Sequence, residues 1–205
     1  MVPVASIAIN ASIFVLSVVS WLWITTGFGD SGNLAARGIG SLKYFTVLSN
    51  LFSGAVSLVY SIVCLAGAVR LPLWLVTLKL VATAAVMLTF LVTAALLVPT
   101  FGWKSLYRGG NFFMHLVLPL LAAVDCLLFV PVAGVPMHVT LWAMAPTAAY
   151  GAFYLGRIFM HGAQPGDDRY DFYHFLRWGT KMVPAVLAAM LLATWAIAVV
   201  LRLLG

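Results

Sequence analysis

Six apolar runs of about twenty residues each, at positions 4–27, 45–68, 74–98, 112–132, 138–159 and 178–203, constrain this chain more than any other feature. Each has the length that an α-helix needs to cross roughly 30 Å of hydrocarbon. Within that layer no water meets the backbone, so only helices or a closed barrel satisfy every N–H and C=O. Runs of this length without strict alternation predict helices. The expected fold is therefore all-α: a polytopic membrane protein built as a single bundle of six transmembrane helices, in one domain over 1–205. No basic stretch precedes the first run and no small-residue cleavage site follows it cleanly, so it is expected to be a retained helix.

Charge distribution supports the same reading and gives an orientation. Only 8% of the 205 residues are charged, against about 25% in an ordinary soluble domain. The net charge of +6 comes from 11 Lys and Arg against five acidic residues, all Asp. Such an excess can signal nucleic-acid binding, but here the basic residues fall in short connections between apolar runs, as at a membrane surface. No nucleic-acid partner is expected. Arg37, Lys43, Lys104, Arg108, Arg157, Arg169, Arg177 and Lys181 fall in or beside the first, third and fifth connections. Positive-inside bias puts those connections in the cytoplasm and both termini outside, in the plasma (inner) membrane if the source is bacterial.

The connections carry turn chemistry: a glycine-rich stretch at 27–33, an Arg70-Leu71-Pro72 turn, and Pro131 to Pro136 around Gly134. The fifth, Arg157 to Lys181, is the longest and most polar, and suits either a lid over a site or a solvated link. Its Asp167, Asp168, His161 and His174 have no recognised ligand spacing, so no metal is expected, and no motif asks for another cofactor. Cys64 and Cys126 lie inside apolar runs and read as buried apolar side chains.

The remaining chemistry is inside the membrane. Thr46, Asn50, Ser53 and Ser57 recur on one helical face. A polar stripe in lipid must face protein or water, and small hydroxyl residues also serve plain helix packing. Thr46 is a candidate nucleophile at the basic end of run two. His115 starts run four from the same end, so the two share a depth; a histidine there serves either as a structural hydrogen bonder or as a base. Asp125 lies ten residues further on, about 15 Å along the helix, too far to orient His115. A carboxylate so deep needs a partner. Lys79, from run three, is the expected one, with snorkelling of Lys79 to the headgroups as the alternative.

With these residues the chain resembles the androgen-induced family of membrane threonine hydrolases and their bacterial six-helix relatives. The likeness lies in the six-helix layout, in Tyr44-Phe45-Thr46-Val47-Leu48-Ser49-Asn50, in His115 with Pro119 and Asp125, and in Tyr170-Asp171-Phe172, where Asp171 stands in place of an expected proline. The resemblance implies that Thr46 is the nucleophile and His115 the base of an intramembrane lipid-ester hydrolase, acting on fatty acid esters of hydroxy fatty acids or related acyl esters. The partner is then a membrane lipid or fatty-acyl ester. Asn50 and Ser49 are candidates to contact the substrate or its oxyanion, and Lys43, Lys104 and Arg108 to hold a substrate carboxylate at the rim. The alternative is a small transporter or proton-linked channel using Asp125 and Lys79 as its polar path; a third reading is a structural protein without chemistry of its own.

Overall fold

The computed structural model describes residues 3–26, 38–68, 70–167 and 169–205. Arg37, the turn at 27–33 and Asp168 lie outside them. The described chain is all-α. Its helices are α1 (Val4–Thr26), α2 (Phe45–Leu65), α3 (Leu73–Phe101), α4 (Gly110–Leu128), α5 (Met144–Met160) and α6 (Met182–Leu204). All but α5 are, among the described residues, long and apolar enough by themselves to cross a membrane. Large apolar side chains such as Val15, Val19, Ile62, Leu192 and Val200 are exposed on the outer faces of these helices. In water they would form patches that soluble monomers avoid; against lipid tails they are at home. Exposed Trp74 and Trp142 lie toward one end of the bundle and Trp103 and Trp178 toward the other, the interfacial positions that tryptophan favours. The protein is an all-α polytopic membrane protein.

Proline explains where the helices depart from the six apolar runs. The fifth run begins as a 3-10 segment, Met137–Ala143, before α5. Pro146 has no N–H to bond the carbonyl of Trp142 and its ring crowds that carbonyl, so the chain upstream takes the tighter winding. The two pieces together reach about 40 Å, enough to span. Run four ends at Leu128 rather than at 132, three residues ahead of Pro131, which disfavours helical dihedrals in the residue before it. Run six starts late, at Met182, after a 3-10 turn at Phe175–Trp178 and Gly179 at φ 90°.

Two further prolines widen helices instead of ending them. In α3 a π-turn occupies Thr93–Leu97, just before Val98-Pro99; in α4 another occupies Phe113–Val117, just before Leu118-Pro119. Each proline removes one i→i−4 bond and pushes on the carbonyl four residues back, and the preceding turn opens to i→i+5. Both π-turns carry polar residues that matter below: Thr93 begins the first, and His115 sits at the middle of the second.

The helices meet through small residues, as expected where lipid gives no hydrophobic drive for association. The buried side of α1 reads Ser6, Asn10, Ile13, Ser17, Ser20, Ile24. Opposite it on α2, a Cβ added at Gly54 would fall 2.0 Å from Ser17 Oγ and 3.0 Å from Ser17 Cβ. At the start of α4 a Cβ on Gly110 would fall 2.7 Å from the Ser20 carbonyl oxygen. Glycine at these two positions sets how closely α1 is approached.

Candidate functional site

Two polar sites lie inside the bundle, and they share no residue. The first is an ion-pair cluster. Lys79 Nζ is 3.0 Å from Asp125 Oδ2, and both side chains are almost wholly buried. Lys79 does not snorkel. Its ammonium also donates to Asn10 Oδ1 at 2.6 Å and to Ser57 Oγ at 3.3 Å, and lies over the Tyr60 ring. Asp125 accepts from Ser6 Oγ at 2.7 Å and from Asn10 Nδ2 at 2.8 Å. Ser6 Oγ lies 3.1 Å from the Tyr60 hydroxyl. Six side chains from four helices satisfy one another with no solvent contact, the condition under which a buried pair becomes tolerable. Ser57, whose spacing reads as plain helix packing, instead accepts from Lys79. Ser6, Asn10 and Tyr60 went unread in the sequence; the signal for the first two was the i, i+4 polar step on the buried side of α1.

The second site is a partly open chamber of about 40 Å³ near the basic end, with room for roughly two or three waters. α2, α3, α5, α6 and the fifth connection all contribute to its walls. Those walls are apolar except for hydroxyls: Thr46, Thr89, Thr93, Thr147, Tyr150, Tyr154 and Tyr173. Most of these are committed. Thr89 Oγ1 pairs with Ser49 Oγ at 3.0 Å and Thr147 Oγ1 with Thr194 Oγ1 at 3.0 Å. The Tyr150 hydroxyl donates to the Lys43 carbonyl at 2.6 Å, Tyr154 donates to Asp171, and Tyr173 accepts from the Phe45 N–H at 2.9 Å. Burial pushes the Tyr173 phenol up to about 12, so it stays neutral at any working pH. Among the described residues Thr93 Oγ1 is buried with no hydrogen-bond partner, and the slightly exposed Thr46 makes no side-chain hydrogen bond.

Two apolar grooves flank the chamber. One, of about 490 Å³, runs between α2 and α5 and shares Phe45 and Tyr150 with it. The other, of about 740 Å³, runs between α3 and α6 and shares Leu88, Val92 and Met190. Both open laterally, toward the position of lipid.

The fifth connection covers the chamber through Tyr173 and Phe175. Asp171 holds that cover in shape: wholly buried, it accepts from Tyr154 and from the Phe175 and Leu176 N–H groups, both at 2.9 Å. Its carboxylate thereby supplies the acceptors that the first turn of the 3-10 helix needs. The residue that departs from the expected proline is the anchor of this segment.

The other residues singled out in the sequence fall as follows. α2 and α4 are neighbours, and Asn50 ties them: its Nδ2 donates to the Thr46 carbonyl at 2.7 Å and to the Met114 carbonyl at 3.1 Å. Both amide hydrogens are thereby occupied, so the expectation of Asn50 as an oxyanion donor does not hold in this arrangement. Ser49 is likewise engaged, with the Thr46 carbonyl and Thr89. His115 is buried one residue beyond Met114 and has Nδ1 2.8 Å from the Leu106 carbonyl oxygen, which leaves Nε2 as the nitrogen able to act as a base. It does not line the chamber, and no hydrogen bond joins it to Thr46. The Lys43 ammonium lies over the Phe172 ring at 4.8 Å, and Lys104 and Arg108 are exposed at the rim. Among the described residues, no group of three His, Cys, Asp or Glu could hold a metal ion.

Fold and sites together define an all-α polytopic membrane protein with a hydroxyl-lined chamber bounded by lateral grooves. Compared with protein-family models, with curated proteins and with solved structures, the chain matches none.

Proposed function

We propose that the chain is an intramembrane lipid-ester hydrolase in which Thr46 is the nucleophile and His115 the base, as its resemblance to the androgen-induced family implies. The observation that carries this reading is the Thr46 hydroxyl, which lines the chamber and makes no side-chain hydrogen bond among the described residues, between two grooves open to lipid. A nucleophile needs an oxygen within reach of substrate, and the chamber that Thr46 lines shares Phe45 and Tyr150 with one groove and Leu88, Val92 and Met190 with the other. Proton transfer requires His115 to reach that oxygen directly or through one water, a contact that often tightens only when substrate binds. The Asn50 amide, bonded to Thr46 and Met114 carbonyls, keeps the two segments side by side for it. Positive-inside bias puts the chamber near the cytoplasmic surface.

Transport draws no support from Asp125 and Lys79, whose polar atoms bond to one another and to three neutral side chains, Ser6, Asn10 and Ser57. A polar path needs groups that can exchange partners with a passing ion or water.

An alkyl fluorophosphonate applied to the purified protein in lipid nanodiscs tests the hydrolase. The adduct is expected on Thr46, abolished in Thr46→Ala and strongly slowed in His115→Ala. An adduct at another residue, or labelling indifferent to both substitutions, overturns the assignment.

A further inference from the structure

Hydrolysis at Thr46 needs a donor for the oxygen that becomes negative during attack, and Asn50 has no hydrogen to offer. Thr93 has one. Its side chain is fully buried, lines the chamber with Thr46, and leaves Oγ1 without a partner among the described residues. Helical threonines ordinarily bond the carbonyl four residues back, as Thr100 does to Leu96 and Thr194 to Met190, both at 2.8 Å. Thr93 makes no such bond. It stands where the Pro99-driven π-turn begins, and turns of this kind recur at functional sites because they redirect side chains.

We propose that the Thr93 hydroxyl is the donor that holds the carbonyl oxygen of an acyl ester in the chamber. The inference rests on the hydrolase reading for its chemistry, although carbonyl binding can be observed without turnover. The ligand class follows from the walls. Among the described residues no Lys, Arg, His, Asp or Glu lines the chamber, so it suits a neutral ester and rejects a carboxylate or phosphate. At about 40 Å³ it admits the ester group alone, and the acyl chain lies in the α3/α6 groove that shares Leu88, Val92 and Met190 with it.

In the reaction, Thr46 Oγ1 bonds to the carbonyl carbon while its proton passes to His115. The carbonyl π pair moves onto the oxygen held by Thr93. Collapse re-forms the carbonyl and breaks the bond to the alkoxy oxygen, which leaves with the proton from His115. Water then attacks the acyl-threonine in the same sense, its proton taken by His115 and returned to Thr46, and releases the acid.

The test uses the protein in nanodiscs with a long-chain p-nitrophenyl ester for turnover, and a carbonyl-labelled hexadecanoic methyl ester for infrared measurement of binding in a Thr46→Ala background. Thr93→Val is expected to lower kcat by roughly 10²- to 10³-fold with little change in KM, and to lose the red-shifted carbonyl band. Thr93→Ser retains both. The unfolding midpoint of Thr93→Val is not lowered, because an unpaired hydroxyl is replaced by a methyl. Turnover of Thr93→Val within threefold of the parent overturns the inference and leaves the hydrolase reading intact. A shifted band that depends on Thr93, in a protein that never turns over ester, overturns the hydrolase reading and leaves the carbonyl site standing. If no shifted band appears in either protein, the carbonyl site is overturned.

Discussion

Replacing Lys79 by Met is the sharpest perturbation that the ion-pair cluster allows. The lysine supplies the cation 3.0 Å from Asp125 and donates to Asn10 Oδ1 and Ser57 Oγ. Without it Asp125 keeps its bonds from Ser6 and Asn10 but has no counter-charge. Leaving a buried charge unpaired costs about 3 to 5 kcal/mol, and protonation of the carboxylate trims that figure because the group neutralises rather than stay charged. The two acceptors that lose a donor add roughly 1 kcal/mol each. A net destabilisation of about 3 kcal/mol is expected for Lys79→Met. Asp125→Asn, which strands the ammonium instead, should cost about as much. The double substitution removes both charges, so it should be no worse than either single, giving a coupling of about 3 kcal/mol. The assay is a double-mutant cycle from equilibrium unfolding in mixed detergent micelles, followed by circular dichroism. Additivity within about 0.5 kcal/mol, or single costs below about 1 kcal/mol, would show that the pair contributes only what a solvated ion pair does and refute the reasoning.

Two further outcomes follow from the packing. Asp171→Ala strands the Tyr154 hydroxyl and the Phe175 and Leu176 N–H groups; it should cost about 3 kcal/mol and speed proteolysis between 161 and 181, and an unchanged cleavage rate would count against an anchoring role. Gly54→Ala drives a methyl to within 2.0 Å of Ser17 Oγ and should destabilise by about 1 to 3 kcal/mol, with most of the loss recovered when Ser17→Gly is added. Failure of that second change to rescue the unfolding midpoint would place the strain elsewhere.

The membrane-spanning helices were legible because their cause is local. Apolar length and the absence of water dictate helix wherever the chain crosses. The prolines at 99, 119, 131 and 146 carry the departures from regularity, and a missing N–H acts on residues only a few positions away. The depth of Lys79 and Asp125 was also readable, since rise per residue fixes depth along a helix, and it pointed to their pairing before any contact was known.

Partner choice was not legible in the same way. A step such as Ser6, Asn10 on α1 reads as helix packing until another helix presents Asp125 and Lys79 to it, and that approach is set by Gly54 against Ser17, a contact between helices. Asn50 looked like a free donor because nothing near it in sequence shows that the Met114 carbonyl takes its second hydrogen. Thr93 looked ordinary within an apolar run; its idle hydroxyl acquires meaning only from the chamber opposite. By itself the sequence determined the solvent, the helices and the depth of each polar group, all consequences of short-range chemistry. Tertiary structure alone decided which hydroxyls bond to neighbours and which remain unbonded at the chamber, because that depends on the side chains that distant segments bring within 3 Å.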